Sequence, residues 1–298
     1  VGALMLREHR ERSESPFDLQ GFVLSGAFLA SLLYTLSEGP TSGWGSPTIA
    51  TTAIVSLAAS AALVWWERRI EHPMLDIRLL QQRLFGLANL TQVFSYASFL
   101  GLLFLIALCL QQARGLTPLE TGLTVFPEAL GVVVSAQVVG RIYPYIGPRR
   151  VLALGLTAGS VTLAAFATID ADTSLWTIRL MMFAAGAAVA CSFVALQVGT
   201  FAAISPADSG RASAIFTTFG HAGSAIGVAL AATVLTSRLP RGGGGPNAET
   251  FRAFHTGFRV LALVALAGSV VAWFIRDEDA ASTLRTRAPR AVEVEAVS

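Results

Sequence analysis

Residues 85–110 read FGLANLTQVFSYASFLGLLFLIALCL, and this stretch contains no charged side chain. About 20 mostly apolar residues are enough for an α-helix to cross the roughly 30 Å of hydrocarbon in a bilayer. Every lipid-facing backbone group needs a hydrogen-bond partner within the protein, and the stretch is more than twice as long as a strand of a membrane β-barrel. It is therefore predicted to be a transmembrane helix.

Similar apolar stretches recur along the chain, and short loops rich in Gly, Pro and Arg separate them. We expect eight spans, of which the quoted stretch is the third. Their predicted ranges are 17–37, 48–66, 85–110, 119–139, 151–169, 175–202, 212–236 and 254–275. The sequence thus predicts an all-α polytopic membrane protein, and its immediate partner is the lipid bilayer.

The composition excludes an ordinary soluble domain. Hydrophobic residues make up 53% of the 298 residues, charged residues only 13%, and the mean hydropathy is +0.61. Such a chain is too apolar to hide its hydrophobic residues in one core. Cys109 and Cys191 lie inside apolar stretches and are interpreted as small hydrophobic residues rather than a disulfide. The net charge of +2 says little about partners, and no nucleic-acid partner is expected.

All 21 basic residues are arginine, and their positions indicate the orientation of the chain. With eight spans, fifteen arginines fall on one side of the membrane and four on the other, while Arg179 and Arg259 lie near span ends. Basic residues accumulate in cytoplasmic loops. Both chain ends are therefore predicted to be cytoplasmic, in a plasma-membrane protein. The Gly242–Gly245 run is then an extracytoplasmic linker and not a phosphate-binding loop, because no strand precedes it.

Three regions of the sequence carry a resemblance to a known family. They are residues 110–127 (LQQARGLTPLETGLTVFP), 140–150 (GRIYPYIGPRR) and 205–213 (SPADSGRAS). With them the chain resembles the second half of major facilitator superfamily transporters, above all the fourteen-span drug:proton antiporter branch. In that branch two additional spans separate two six-helix halves. The chain has two spans, a basic loop that ends at residues 72–76 (HPMLD), and six further spans.

This resemblance implies a division of the chain into four parts. Residues 1–16 would be a cytoplasmic basic segment with the tail of a preceding helix, and residues 17–84 would hold two linker-type helices and a cytoplasmic loop. Residues 85–276 would form the six-helix C-terminal half of the transporter, and residues 277–298 a disordered cytoplasmic tail. The N-terminal six-helix half would be a missing partner of this chain.

The segment 140–150 matches the cytoplasmic loop motif of the family at Gly140, Gly147, Arg149 and Arg150. The family pattern has an acidic residue four positions after its first glycine, and Pro144 occupies that position here. Because proline carries no charge, the resemblance does not imply a salt-bridge gate at this loop.

Glu128 lies near the middle of the fourth predicted span, where an ionisable side chain is costly and tends to face a cavity or a partner. Five residues at helical spacing form a polar or small-residue face there: Thr121, Thr124, Glu128, Gly131 and Ser135. One interpretation is a proton-coupling carboxyl group on a wet face, with Thr124 in the substrate pathway. The other is a structural carboxyl group that hydrogen-bonds to a neighbouring helix. Pro127 removes a helix hydrogen bond and is expected to bend this span rather than break it.

The third predicted span carries Asn89, Gln92 and Tyr96 on one face, with Phe99 a turn further on. Such a polar and aromatic face is suited to an amphipathic or cationic small molecule, so these residues are candidates for the substrate pathway. Hydrogen bonding between packed helices explains the same pattern equally well. The sequence leaves both interpretations open.

His221 shares a face of the seventh predicted span with Thr217 and Ser224. Histidine titrates near neutral pH, which makes His221 a second candidate for proton coupling. The alternative is a neutral histidine bonded across a tight helix contact, which the neighbouring glycines favour. These glycines are Gly220, Gly223 and Gly227.

The function that the sequence predicts is therefore that of the C-terminal part of a proton-coupled multidrug or small-molecule efflux antiporter, which works by alternating access. Its expected partners are protons and an amphipathic small molecule, and no cofactor or metal is expected. Alternatives are a nonfunctional fragment or a structural membrane subunit. A membrane-embedded enzyme is disfavoured, because the four histidines are scattered and the loops are too short for an active-site lobe.

Overall fold

The computed structural model describes residues 18–70, 76–202, 204–205, 208–239 and 248–284. Within these ranges the chain forms nine α-helices: α1 Leu19–Ser42, α2 Pro47–Glu67, α3 Arg83–Leu108, α4 Pro118–Val125, α5 Pro127–Ile146, α6 Pro148–Phe166, α7 Leu175–Thr200, α8 Ser209–Arg238 and α9 Ala248–Ala272. Because α4 and α5 together make one span, eight segments are long and apolar enough to cross a membrane. The described residues contain no strand. The prediction of an all-α polytopic membrane protein with eight spans is confirmed.

Local side chains explain where several of these helices begin. The Ser46 hydroxyl accepts a hydrogen bond from the backbone N–H of Ile49 at 3.3 Å, and proline follows as the first residue of α2. At α4, Thr117 and Glu120 form a reciprocal capping box: the Thr117 hydroxyl accepts from the Glu120 N–H, and the Glu120 carboxylate accepts from the Thr117 N–H at 2.9 Å. The helix starts are thus encoded by residues in the short loops.

The helices alternate in direction, so the loops fall at two ends of the bundle. One end, called here the Gly115 end, holds Gly43 and Gly115, which both have positive φ angles. The other, the Gly147 end, holds Gly147 with φ of 87°. A positive φ favours glycine, because a Cβ atom would crowd the backbone. Gly43 directly follows α1, Gly115 lies in the loop between α3 and α4, and Gly147 joins α5 to α6.

The fourth span bends at Pro127 as expected. Phe126 separates α4 from α5 but keeps helical angles of φ −47° and ψ −37°. Its N–H still donates to the Gly122 carbonyl at 2.8 Å. The interruption is therefore a bend caused by the missing proline N–H and not a break in the span.

The predicted loop at residues 140–150 is mostly helical, which corrects its description as a loop. Helix α5 continues through Gly140 and Pro144 to Ile146, and α6 begins at Pro148. Tyr143 is only 2% exposed and holds the last turn of α5 against the core, where Pro144 costs a single hydrogen bond. Only Gly147 separates the two helices, so Arg149 and Arg150 lie in the first turn of α6.

The last six spans pack on one another in series. Helix α5 packs on α7, α7 on α6, α6 on α9, α9 on α3, and α3 on α8. Outside it, α1 packs against α8, and α2 packs chiefly against α1. The transporter-like helices thus form one bundle, and the two preceding spans attach to it through α8. The proposed division into four parts stays a prediction.

Three apolar clusters of buried residues are found among the described residues, and two of them fill opposite ends of the bundle. The cluster at the Gly115 end joins α3, α6, α7, α8 and α9 around Phe166, Phe254 and Phe258, which are fully buried. The cluster at the Gly147 end joins Tyr143, Leu152 and neighbouring apolar residues. Packing of this kind fixes the helices at both ends of the bundle.

The first residues of the predicted disordered tail, 277–298, are ordered in the structure. Residues Asp277–Thr283 form a 3-10 segment beyond α9, and Ala280 within it is fully buried in the cluster at the Gly147 end. The prediction was wrong for this segment, because the sequence does not reveal that an acidic run packs back on the bundle. Four further predictions lie outside the described residues: the basic segment 1–16, most of the loop at 72–76, the Gly242–Gly245 linker and the tail beyond residue 284.

Candidate functional site

Three aromatic side chains meet where α3 faces α7. The rings of Tyr96 and Phe193 are stacked, with centroids 4.8 Å apart and planes 27° from parallel. Phe99 meets Phe193 edge-on at 5.7 Å. Both arrangements are favourable for ring quadrupoles. Tyr96 and Phe193 are only half-buried, so part of this aromatic surface stays accessible.

Tyr96 and Phe193 also line a cavity of about 260 Å³, called here the aromatic cavity. Leu196 and Gln197 of α7 and Phe216 of α8 complete its lining. Flat apolar rings beside one exposed amide are the surface that an amphipathic or cationic molecule contacts through ring faces and a hydrogen bond. Of the four predicted pathway residues, only Tyr96 lines this cavity.

Asn89 and Gln92 are buried between helices rather than exposed in the cavity. Asn89 is 0% exposed, and its amide donates to the Phe85 carbonyl at 2.8 Å. Gln92 is 1% exposed, and a Cβ atom at Gly220 of α8 would lie 3.0 Å from its Nε2. In the described structure Asn89 Oδ1 and Gln92 Oε1 accept no hydrogen bond. This placement agrees with the helix-packing interpretation, although one side-chain oxygen of each residue has no hydrogen-bond partner.

The face that the sequence suggested for α4 and α5 is a packing surface over much of its length. Thr124 is fully buried, and its hydroxyl donates to the Glu120 carbonyl at 2.7 Å. Thr121 is 4% exposed, and Gly131 packs against the Phe183 carbonyl of α7. The expected wet face is therefore not seen here, because α7 covers it. The role of Thr124 in a pathway stays a prediction.

Glu128 lies in the first turn of α5, just beyond the bend, and is half-buried. Its backbone carbonyl is in contact with the position of Gly186 on α7. No hydrogen bond or ion pair of its carboxyl group is found among the described residues. Whether Glu128 takes part in proton coupling stays a prediction.

His221 borders a separate cavity of about 750 Å³, called here the large cavity. Helices α1, α3 and α8 line it, mostly with apolar side chains. Its polar lining residues are Ser37, Thr41, Gln112, His221, Ser224 and Thr236. Glu128 does not line this cavity, so the structure does not bring the two proton-coupling candidates together there. Within the described ranges, no group of three or more His, Cys, Asp or Glu side chains is suited to hold a metal ion.

The cytoplasmic loop motif at residues 140–150 is in contact with a carboxylate, that of Asp277, which the sequence analysis missed. The Arg149 backbone N–H donates to Asp277 Oδ1 at 3.0 Å, so Asp277 caps the start of α6. The Arg149 guanidinium lies 4.9 Å from the ring centre of Trp273, and Tyr143 shares a hydrogen bond of 3.3 Å with Thr283. Gly140 is exposed on α5, and no atom would contact a Cβ there within 4 Å. The acidic run at 277–279 was the available signal for this contact.

The sequence analysis also missed Phe193, Gln197 and Phe216. Phe193 and Gln197 are four residues apart on one helix and therefore share a face, which the sequence does contain. Phe216 comes from another helix, and its position beside them depends on how α7 and α8 pack. Only the first pair could have been found without the tertiary structure.

Comparisons with known proteins agree on one family. The profile described as "Major Facilitator Superfamily" matches residues 88–296 of the chain. This range covers nearly all of the six packed spans from α3 to α9.

The chain is also similar to several curated resistance proteins. It is 27% identical over 242 residues to "Multidrug resistance protein B homolog" of Mycobacterium tuberculosis, covering 79% of this chain and 44% of the relative. It is 26% identical over 286 residues to "Puromycin resistance protein pur8" of Streptomyces alboniger, covering 92% and 56%. For "Tetracenomycin C resistance and export protein" of Streptomyces glaucescens the identity is 26% over 249 residues, covering 80% and 45%. The chain spans about half the length of the curated relatives it matches.

Proposed function

Since the chain belongs to the major facilitator superfamily, whose members are membrane transporters and not enzymes, we propose that it forms part of a proton-coupled exporter of amphipathic small molecules. The relatives named for multidrug resistance, puromycin resistance and tetracenomycin C export support this choice of substrate class. The coupling is an exchange of protons moving inward for substrate moving outward. The observation that carries the proposal is the aromatic cavity between α3, α7 and α8.

The aromatic cavity is the proposed contact site for the substrate. Tyr96, Phe193 and Phe216 supply ring faces, and the exposed Gln197 amide supplies a hydrogen bond. Ring faces accept many apolar or cationic shapes, which suits a carrier of several drugs. A single amide orients the bound molecule without demanding one particular partner group. Asn89, Gln92 and Thr124 would join the site only in a conformation that opens the packing around them.

Glu128 and His221 are the proposed proton carriers. An ionisable side chain inside a span is costly, so its presence favours a role in a proton relay. Glu128 lies beside the bend at Pro127, where a change of helix angle alters its surroundings. His221 borders the large cavity and lies one residue from Gly220, which packs near Gln92 and Tyr96. Movement of α8 against α3 would therefore affect His221 and the aromatic surface together.

The proposed architecture is that of a C-terminal half with two linker-type helices in front of it. Alternating access needs two helix bundles that rock about a shared site. The six packed spans form one such bundle, and a second six-helix bundle would supply the facing wall. In this arrangement the Gly147 end faces the cytoplasm, since most arginines lie there, and the protein is placed in the plasma membrane with both ends of the chain inside.

The substrate site is tested by Phe193→Ala in everted membrane vesicles that contain the chain together with its N-terminal half. The expected result is a rise of roughly 2–10-fold in the KM for proton-driven ethidium transport, because one stacked ring is lost. Phe274→Ala is the matched control, since Phe274 is 61% exposed and lines neither cavity. Equal KM values in the two variants would remove the aromatic cavity from the mechanism.

The coupling is tested in the same vesicles with Glu128→Gln, which keeps the shape of the side chain but cannot exchange a proton. The expected result is a loss of proton-driven transport that far exceeds any loss of protein from the membrane. Glu278→Gln is the control, because Glu278 is exposed beyond α9. Normal transport with unaltered pH dependence in Glu128→Gln would leave Glu128 with a structural role.

A further inference from the structure

The large cavity is distinct from the aromatic cavity, and no described residue lines both. Its volume of about 750 Å³ falls within the range of roughly 300–1,000 Å³ that small-molecule sites occupy. Its lining runs from His221 of α8 to Leu239, the residue just beyond that helix, which at 1.5 Å per residue is about 27 Å along the helix axis. The cavity therefore extends from the middle of the bundle to the Gly115 end.

One wall of the large cavity comes from α1, which precedes the six-span bundle. Leu33, Leu36 and Pro40 are among the residues that α1 contributes. The position of α1 is held by the loop that follows it: the Trp44 indole N–H donates to the Thr233 hydroxyl of α8 at 3.1 Å. The Trp44 ring in turn packs on Gly39, where a Cβ atom would lie 2.7 Å from it. The wall is thus attached to the bundle through specific side chains.

Among the residues that the structure describes, the lining of the large cavity contains no acidic residue and no arginine, and His221 is its one ionisable member. A cation that entered would lose its hydration without gaining an opposite charge. An uncharged molecule would instead gain apolar contact along α1 and α3. The His221 imidazole, the Gln112 amide and the hydroxyl groups of the lining would offer it hydrogen bonds. The chemistry of the cavity favours an uncharged amphipathic ligand.

We propose that the large cavity is a binding site for an uncharged amphipathic small molecule, with α1 as a wall of the site. This would give the first linker-type helix a direct role in ligand binding. The inference rests on the proposed function for its biological role, since an exporter would use such a site to hold a ligand near the Gly115 end. Occupancy of the site is nevertheless measured without any transport.

The test is photolabelling of the purified protein with a matched pair of probes. Benzophenone is uncharged, and its 4-(trimethylammoniomethyl) derivative carries a fixed positive charge on the same photoreactive body. After irradiation, mass spectrometry of peptides maps the labelled residues. We expect saturable labelling by benzophenone on both α1 and α8 within the cavity lining, and at least about fivefold less labelling there by the cation.

Two variants of α8 fill the cavity and one matched variant does not. Ala225→Trp and Ala232→Trp place a large ring inside the lining and are expected to lower benzophenone labelling about fivefold or more. Ile226→Trp is the control: Ile226 is next to Ala225 but is 39% exposed and does not line the cavity. In a further variant, His221→Glu, the added carboxylate should raise labelling by the cationic probe. Size-exclusion profiles and circular dichroism check that each variant is folded.

Several outcomes would overturn the inference. Equal labelling of the cavity by both probes, or no gain for the cation in His221→Glu, would contradict the assigned ligand class. Labelling spread over the bilayer-facing residues of α2, or unchanged by both tryptophan variants, would contradict the site itself. A phospholipid that copurifies with the protein and is lost in Ala225→Trp would make the cavity a lipid site. Failure of export with intact labelling would count against the proposed function alone.

Discussion

Asp277 supplies a carboxylate to the helix start that follows Gly147, in a motif whose own position 144 holds an uncharged proline. The carboxylate reaches the start of α6 from beyond the last span and accepts the Arg149 N–H at 3.0 Å. A negative group at a helix N-terminus is stabilised by the unpaired N–H groups and by the helix dipole. The motif thus gains a negative group from a different part of the chain, at the start of α6 and not at position 144.

Gly147 is the residue on which this contact most depends. Its φ of 87° favours glycine, and a Cβ atom there would lie 2.6 Å from Asp277 Oδ1. Gly147→Ala should lower the free energy of unfolding by about 2 kcal/mol through strain and displacement of Asp277. Thermal unfolding of the detergent-purified protein measures this loss.

Gly140→Ala is the matched control within the same motif. Gly140 lies inside α5 with nothing within 4 Å of its Cβ position. Alanine there should leave the protein as stable or raise its stability by about 0.5–1 kcal/mol, since glycine is a poor helix former. If both variants melted alike, the contact between Gly147 and Asp277 would not stabilise the fold.

At the scale of elements, the glycines of α8 decide how closely it approaches α3. A Cβ atom at Gly223 would lie 2.8 Å from the Val93 carbonyl, and one at Gly227 would overlap the carbonyl of Ala97. Small residues allow two membrane helices to pack backbone against backbone. The close packing that the sequence suggested for this span is thus realised against α3, and it leaves His221 on an exposed side of α8.

Gly227→Ala should separate α3 from α8 and destabilise the protein by about 1–3 kcal/mol, because the added methyl group meets backbone that cannot move aside. Gly210→Ala on the same helix has no atom within 4 Å and should have little effect. Both are compared by unfolding in the same detergent. A neutral Gly227→Ala would mean that the two helices are not packed as closely in the membrane.

At the scale of the whole molecule, the distribution of arginines predicts which end of the bundle faces the cytoplasm. Cysteines at Gly45 and Gly210, in a background without Cys109 and Cys191, test this, because neither position has an atom within 4 Å of a Cβ. In intact cells an impermeant thiol reagent should label the cysteine at position 45 and spare the one at 210. The reverse pattern would overturn the orientation.

The proposed two-half mechanism predicts that residues 1–298 by themselves do not carry out transport. One six-span bundle provides one wall of a pathway that needs two. Liposomes containing only this chain, under an imposed pH gradient, should show no more ethidium flux than empty liposomes. Proton-dependent flux that a protonophore abolishes would show that the second bundle is not needed.

Some features of the candidate site depend on the sequence of one helix, and others depend on how several helices pack. Asn89, Gln92 and Tyr96 share a face of α3, and spacing alone predicts that. Which of them is covered depends on the neighbours: α8 brings Gly220 to Gln92, while α7 and α8 leave an opening at Tyr96. Spacing within one span cannot distinguish a face packed against another helix from a face that lines a cavity, because both consist of small or polar side chains.

The sequence by itself determined the eight spans, their helical nature and the bend at Pro127. The reason is that lipid imposes a length, an apolar composition and internal hydrogen bonds on every span, and proline acts on its own helix. Only the tertiary structure decided which residues distant in the chain are in contact. Examples are Asp277 at the start of α6, Phe216 beside Phe193, and α1 against α8. These contacts join segments far apart in the chain, and they depend on the shapes of packed surfaces that no local pattern specifies.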